Sequence, residues 1–219
     1  MAAARTRVKS KLEAARARMY RELVFESAER VFAACGFEEA TMQAIAADAG
    51  ISLKTLYAAF PGKNDLYREI HDVRNAEFFA FMVERRPSSG SPLSELEYAV
   101  AGYTEFLFSH EPYFQILLRE GRSWGLGPAH GNETSWRAGL ALLANMIRAG
   151  MEAGLFYPGD PELMAATALA VLQVQLAGLL DRARRGSRKQ SAEVDPAPIQ
   201  QELLTQMKRL LCVPGKVVA

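Results

Sequence analysis

The stretch GISLKTLYAAFPGK, Gly50 to Lys63, decides how this chain is read. Ser52 can cap a helix that carries Leu56 and Phe60 one turn apart on its inner face. Pro61-Gly62 then stops that helix. Its outer face holds small residues, Ser52, Thr55, Ala58 and Ala59, with few charges, so its backbone can approach a partner closely. Just upstream, TMQAIAADA (Thr41 to Ala49) predicts another short helix, capped by Thr41. Gly50 permits the positive φ that a tight turn between the two requires. Ile45, Ala46 and Ala49 can then pack on Ile51, Leu56 and Phe60. A helix-turn-helix of this size can place its second helix in the DNA major groove, N-terminal residues toward the base edges.

Outward from this motif the pattern stays helical. Apolar residues recur at helical spacing in nearly every segment, and no β-branched alternation competes. Tyr20, Val24, Ala28, Val31 and Phe32 form a stripe that ends at Gly36. A fourth helix is expected over roughly 64–86, with Leu66, Ile70, Val73 and the cluster Phe78, Phe79, Phe81 and Met82. RPSSGSP (Arg86 to Pro92) marks the clearest break in composition. Beyond it, segments over 93–109, 113–121, 134–153, 161–184 and 199–212 predict five more helices. The expected fold is all-α: an N-terminal three-helix head joined to a C-terminal helical bundle, the fourth helix belonging to both.

Composition excludes several classes. The 219 residues are 49% apolar and 23% charged, ordinary for a soluble protein with a real core. No uninterrupted apolar run reaches 18 residues, so no membrane span and no membrane partner are expected. Cys35 and Cys212 match no metal or redox spacing and read as free thiols in a reducing compartment, the cytoplasm. His71, His110 and His130 are too scattered for a metal site. No nucleophile elbow, H-E-x-x-H or P-loop is present, and GLGPAHG lacks the G-x-G-x-x-G spacing. No enzyme activity, cofactor or metal is expected. Residues 1–21 hold seven basic side chains against Glu13, which gives +6 within a net charge of +1. Such a segment is either a flexible arm for a polyanion, nucleic acid first, or a solvated tail.

The stretch from Thr41 to Tyr67, TMQAIAADAGISLKTLYAAFPGKNDLY, resembles the helix-turn-helix signature of the TetR family of bacterial transcriptional regulators. The resemblance runs from about Tyr20 to Arg74 and includes FAACGFEEAT; in the bundle it extends to architecture alone. It implies a basic arm at 1–18, a DNA-binding domain at 19–74 and a ligand-binding and dimerisation domain at 75–219. It further implies a ligand-responsive regulator, by default a repressor, that meets a pseudo-palindromic double-stranded operator as a homodimer and leaves it when an inducer binds. Carried over by position, Thr41, Tyr57 and Lys63 are phosphate contacts. Gln43, Leu53, Lys54, Thr55 and Ala58 are the base-facing set, beside the capping Ser52. The pair Ala58-Ala59 departs from the polar or aromatic pair common in the family, which leaves Gln43 and Lys54 as the bidentate candidates. Arg5 and Arg7 are candidates for an adjacent minor groove. Helix capping by Thr41 and Ser52, packing by Tyr57 and solvation of Lys63 stand as the plainer alternatives.

For the inducer, the middle helices offer Tyr103, Phe106, Phe114, Leu117, Trp124, Trp136, Leu140, Met146 and Met164, with Gln173 or Gln175 as a polar anchor. That composition suits a hydrophobic or amphipathic molecule, and each position can equally be plain core. The helices at 161–184 and 199–212 are apolar on more than one side, as a dimer interface through the last two helices requires. Intrachain core is the other reading. A DNA-binding protein with a filled bundle and no inducer, architectural or controlled by a partner, is the competing function.

Overall fold

The computed structural model describes residues 2–85, 90–120, 133–186 and 195–216, in backbone only at 2–17, 120, 133–136 and 183–186. Every regular element among them is a helix: α1 (Ala2–Glu39), α2 (Met42–Asp48), α3 (Leu53–Ala59), α4 (Lys63–Glu84), α5 (Pro92–Ser109), α6 (Glu111–Glu120), α7 (Glu133–Glu152), α8 (Pro161–Gly186) and α9 (Pro196–Leu211). The starts follow from local chemistry. Side-chain oxygens of Thr41, Ser52, Ser91 and Asp195 accept from the first free backbone N–H groups of α2, α3, α5 and α9. Pro92, Pro161 and Pro196 stand at helix starts, where a missing N–H costs nothing.

One segment departs from expectation. Helix α1 begins at Ala2, so residues 2–18, expected as a flexible arm, continue the helix that carries the head core. Alanine with straight-chain Arg, Lys and Glu is the composition with the highest helix propensity, and nothing in the segment breaks it. The α1 helix turns off its axis at Gly36, whose φ of 83 lies outside the helical region.

The chain divides into two compact units, Met1–Asp72 and Val73–Ala219, with the division inside α4. In the first unit Val24, Ala28, Phe32, Ile45, Leu56, Leu66 and Ile70 are completely buried. Burying each of the larger aliphatic side chains contributes roughly 1.5–3 kcal/mol before entropy is counted. Tyr67 stands edge-on to Phe32 at 4.8 Å and tilts against Phe37 at 4.7 Å, closing the core beneath the two short helices.

In the second unit α8 packs on α7 and α9, and α5 on α9 and α7. Leu107, Ile116, Ile147, Leu176, Leu203 and Leu211 are buried there. The α9 stripe of Ile199, Leu203, Met207 and Leu211 faces this core, so for those four residues the intrachain reading holds. The apolar α8 is different. Over Pro161–Arg182 it has the length and composition of a membrane span, although only 33% of that window is buried. An unbroken-run criterion does not register it, because single polar residues interrupt it. Leu163 and Val174, 67% and 55% exposed, lie on one face of α8 with the exposed Thr167 and Gly178. At the far end of the unit the Phe156 ring covers Gly150, where a Cβ would fall 2.1 Å from it. Phe156 and Cys212 form an antiparallel bridge flanked by Tyr157 N–H to Leu211 O and Val213 N–H to Leu155 O, both 2.9 Å.

Candidate nucleic-acid interface

The motif is built from its turn outward. Gly50 has φ 64, and its N–H donates to Ala47 O at 3.1 Å while Ile51 N–H donates to Ala46 O at 3.0 Å. That pair of bonds is the Schellman arrangement, which satisfies the last carbonyls of α2 and turns the chain into α3. The Ser52 hydroxyl accepts from Thr55 N–H at 3.1 Å and lies 2.8 Å from the Thr55 hydroxyl. Leu56 and Phe60 point inward. The remaining face of α3 is therefore outward by geometry, fixed by an apolar underside.

On that face the exposed residues are Lys54, Tyr57 and Ala58, with Leu53 and Thr55 half-buried at the edge. Tyr57 is 48% exposed, much for an aromatic residue in a unit with so complete a core. Gln43 is exposed on α2, as is Thr41, whose hydroxyl accepts from Ala44 N–H at 3.1 Å and keeps its own proton for another acceptor. Gln43, Lys54, Tyr57 and Ala58 thus stand clear of the core. The capping roles of Thr41 and Ser52 are also realised; capping leaves the Thr41 hydroxyl proton available, while the Ser52 hydroxyl is shared with Thr55.

Lys63, expected at a phosphate, is turned inward. Its ammonium donates to Phe37 O at 2.7 Å and Glu38 O at 3.1 Å and sits 4.4 Å from the centre of the Phe37 ring. These carbonyls lie in the last residues of α1, after its kink at Gly36, and attract a cation because helix C-terminal carbonyls carry negative partial charge. Two of its three protons are occupied there.

Sequence reasoning missed two further cations. Arg21, counted with the basic segment, pairs with the Glu69 carboxylate, donates to Ala59 O at 3.4 Å and covers the Phe60 ring at 4.5 Å. It thereby fastens the end of α3 to α1 and α4. Arg30 reaches Asp48 at 2.7 Å and the Ser27 hydroxyl at 2.9 Å, tying α1 to α2. Neither pairing has a local spacing signal, since the partners lie 48 and 18 residues away.

In the second unit, two ligand candidates meet: Gln173 Nε2 donates to the Tyr103 hydroxyl at 2.8 Å. Burial pushes the Tyr103 phenol up to about 12, and the bond from Gln173 opposes that shift. Phe78 lies edge-on to Tyr103 at 5.8 Å and to Phe106 at 5.2 Å. Phe106 and Phe114 are buried in packed core, 3% and 2% exposed, whereas Leu117, Leu140, Met146 and Met164 are half-buried. Trp124 and the side chains of Trp136, Arg5 and Arg7 lie outside the described residues. A 520 Å³ open groove between α5 and α9 is lined by other residues, including Glu97, Gln200 and Lys208.

Residues 24–70, the core of the first unit, match a family model described as bacterial regulatory proteins, tetR family. Over 161 residues the chain is 24% identical to YhgD, an uncharacterized HTH-type transcriptional regulator of Bacillus subtilis strain 168, covering 74% of this chain and 83% of that protein. KstR2, the ketosteroid transcriptional regulator of Mycobacterium tuberculosis, superposes with a TM-score of 0.68 at 20% identity over 88% of this chain and 95% of that one. FadR, a fatty acid degradation regulator from Bacillus halodurans, gives 0.62 at 18% over 84% and 94%. The head of this chain thus matches the tetR family of bacterial regulatory proteins by sequence, and its later helices follow the fold of solved regulators similar to that family.

Proposed function

We propose that this chain is a ligand-responsive repressor that binds a two-half-site operator as a homodimer and is released by a hydrophobic or amphipathic small molecule. The observation that carries the DNA-binding part is the outer face of α2–Gly50–α3. Gln43, Lys54, Tyr57 and Ala58 project from a turn locked by the Gly50 bonds and an apolar underside. Gln43 and Lys54 read base edges, Ala58 meets a thymine methyl, and Thr41 and Tyr57 give hydroxyl protons to phosphates. Lys63 seats the motif against the end of α1 and is not assigned a phosphate. Its relatives are regulators, and the chain is not an enzyme.

Dimerisation is assigned to the last two helices, chiefly through the uncovered α8 face around Leu163 and Val174. A two-fold pairing of that face presents two heads to two half-sites. Ligand response is assigned to the second unit, where Tyr103 and Gln173 form a polar pair among aromatic rings. Regulators of ketosteroid and fatty acid pathways with this fold fit an apolar inducer. Helix α4 is the covalent path between the units, and its Glu77, paired with Arg74 on the same helix, lies 3.7 Å from His110 at the corner after α5. Ligand and operator then weaken each other's binding by the same factor.

The test is fluorescence-anisotropy binding to DNA from upstream of the chain's own gene, against scrambled DNA, at two salt concentrations. Specific binding that survives the higher salt and disappears in Tyr57→Ala is expected. If a random-sequence selection also enriches no site, the reading fails.

A further inference from the structure

The polar pair on α5 and α8 restricts what the bundle can hold. Gln173 is 8% exposed, and its amide has two N–H donors and one carbonyl acceptor. One N–H is used on the Tyr103 hydroxyl. That hydroxyl accepts this bond, so its own proton points elsewhere, and among the described residues no other partner takes it. The Gln173 carbonyl oxygen likewise has no donor there. Reversing the amide changes nothing essential: Tyr103 would then donate to the carbonyl, leaving its lone pairs and the NH₂ group unspent. Either way a neutral donor and a neutral acceptor stand side by side, with no charged side chain bonded to either.

The surroundings point the same way. Phe78 stands edge-on to Tyr103, Phe106 lies against Phe78, and Leu172 and Leu176 flank Gln173 on α8. Burial among these rings disfavours a charge, and it raises the Tyr103 phenol for the same reason. A carboxylate or ammonium seated here would lose its hydration with only neutral dipoles in return. A hydroxyl or carbonyl oxygen on an apolar body can instead accept from one group and, if a hydroxyl, donate to the other.

We infer that the Tyr103–Gln173 pair binds the uncharged oxygen function, ketone or alcohol, of an otherwise apolar ligand, and that the site discriminates against carboxylates and amines. This rests on the ligand-responsive reading above. The test uses the full chain without DNA and a matched set: 2-decanone, 1-decanol, decanoate and decylammonium, with binding followed by isothermal titration calorimetry. The ketone and alcohol should bind at least about ten-fold tighter than either ion, since a buried charge left unpaired costs more than a hydrogen bond gains. Tyr103→Phe, which removes one oxygen and keeps the ring, should erase most of that preference, as should Gln173→Met. Decanoate or decylammonium binding as tightly as the ketone would overturn the assignment of class while leaving the regulator reading intact. Binding of the neutral pair with an undiminished preference in both variants would overturn the site. If no member of the set binds, this inference fails, and ligand response then needs separate proof by operator release.

Discussion

Replacing Gly50 by alanine isolates one physical term. At this position φ is +64, and an added Cβ meets nothing within 4 Å, so no steric cost arises from neighbours. What remains is the intrinsic penalty of an L-residue in the left-handed region, roughly 1–2 kcal/mol. Against it stands the smaller backbone entropy of an unfolded alanine, worth about 0.4–1 kcal/mol. The expected net loss is therefore about 1 kcal/mol, borne by the first unit. Asparagine, which visits this region more readily, should lose less. Both tryptophans, Trp124 and Trp136, belong to the second unit, so urea unfolding followed by far-UV circular dichroism and by tryptophan fluorescence separates the two. With a slope near 1 kcal/mol per molar urea for a unit this small, the dichroism transition of the head should move by about 1 M. The fluorescence transition should stay in place. An alanine variant as stable as the parent, or an asparagine variant as damaged as alanine, would refute the assignment of cost to backbone conformation.

Three other outcomes are expected. Lys63→Met removes two bonds to carbonyls at the C-terminal end of α1 and should destabilise the head by about 1–2 kcal/mol while leaving the slope of log affinity against log salt unchanged. A slope reduced by about one would move the ammonium to a phosphate. Ultraviolet titration should show a late phenol near 12 that is absent in Tyr103→Phe and moves higher still in Gln173→Leu. Because that folded value lies above the unfolded one near 10, the stability it represents is present below pH 10 and lost as pH rises toward 12; rising stability across that window would contradict it. Leu163→Lys with Val174→Lys should shift sedimentation toward monomer without changing the melt of the monomer, and unchanged sedimentation would place the interface elsewhere.

How much of this was legible beforehand depends on whether the relevant physics is local. Caps at Thr41 and Ser52, the turn at Gly50 and the inward pair Leu56 and Phe60 are settled within a few residues, and the sequence shows them. Exposure of Gln43, Lys54 and Tyr57 follows from the same periodicity. The fate of Lys63 does not, because its acceptors are carbonyls 25 and 26 residues away, exposed only when α1 turns at Gly36. Arg21 read as arm charge because nothing nearby announces Glu69. In the bundle, apolar composition identifies helices but not their faces. Phe106 and Tyr103 have the same sequence credentials, yet one is packed away and the other keeps a hydroxyl against Gln173.

The bridge between Phe156 and Cys212 bears on what happens if the chain is cut. Paired backbone bonds at Tyr157 and Val213 close the α8–α9 hairpin at its base, so peptide continuity between those helices is a second fastening, not the sole one. A scission after Arg188 would yield fragments 1–188 and 189–219 that still share one core through Ile199, Leu203, Met207 and Leu211. On those contacts, two separately made polypeptides are expected to associate and complement, with the smaller piece serving as a removable stave of the bundle.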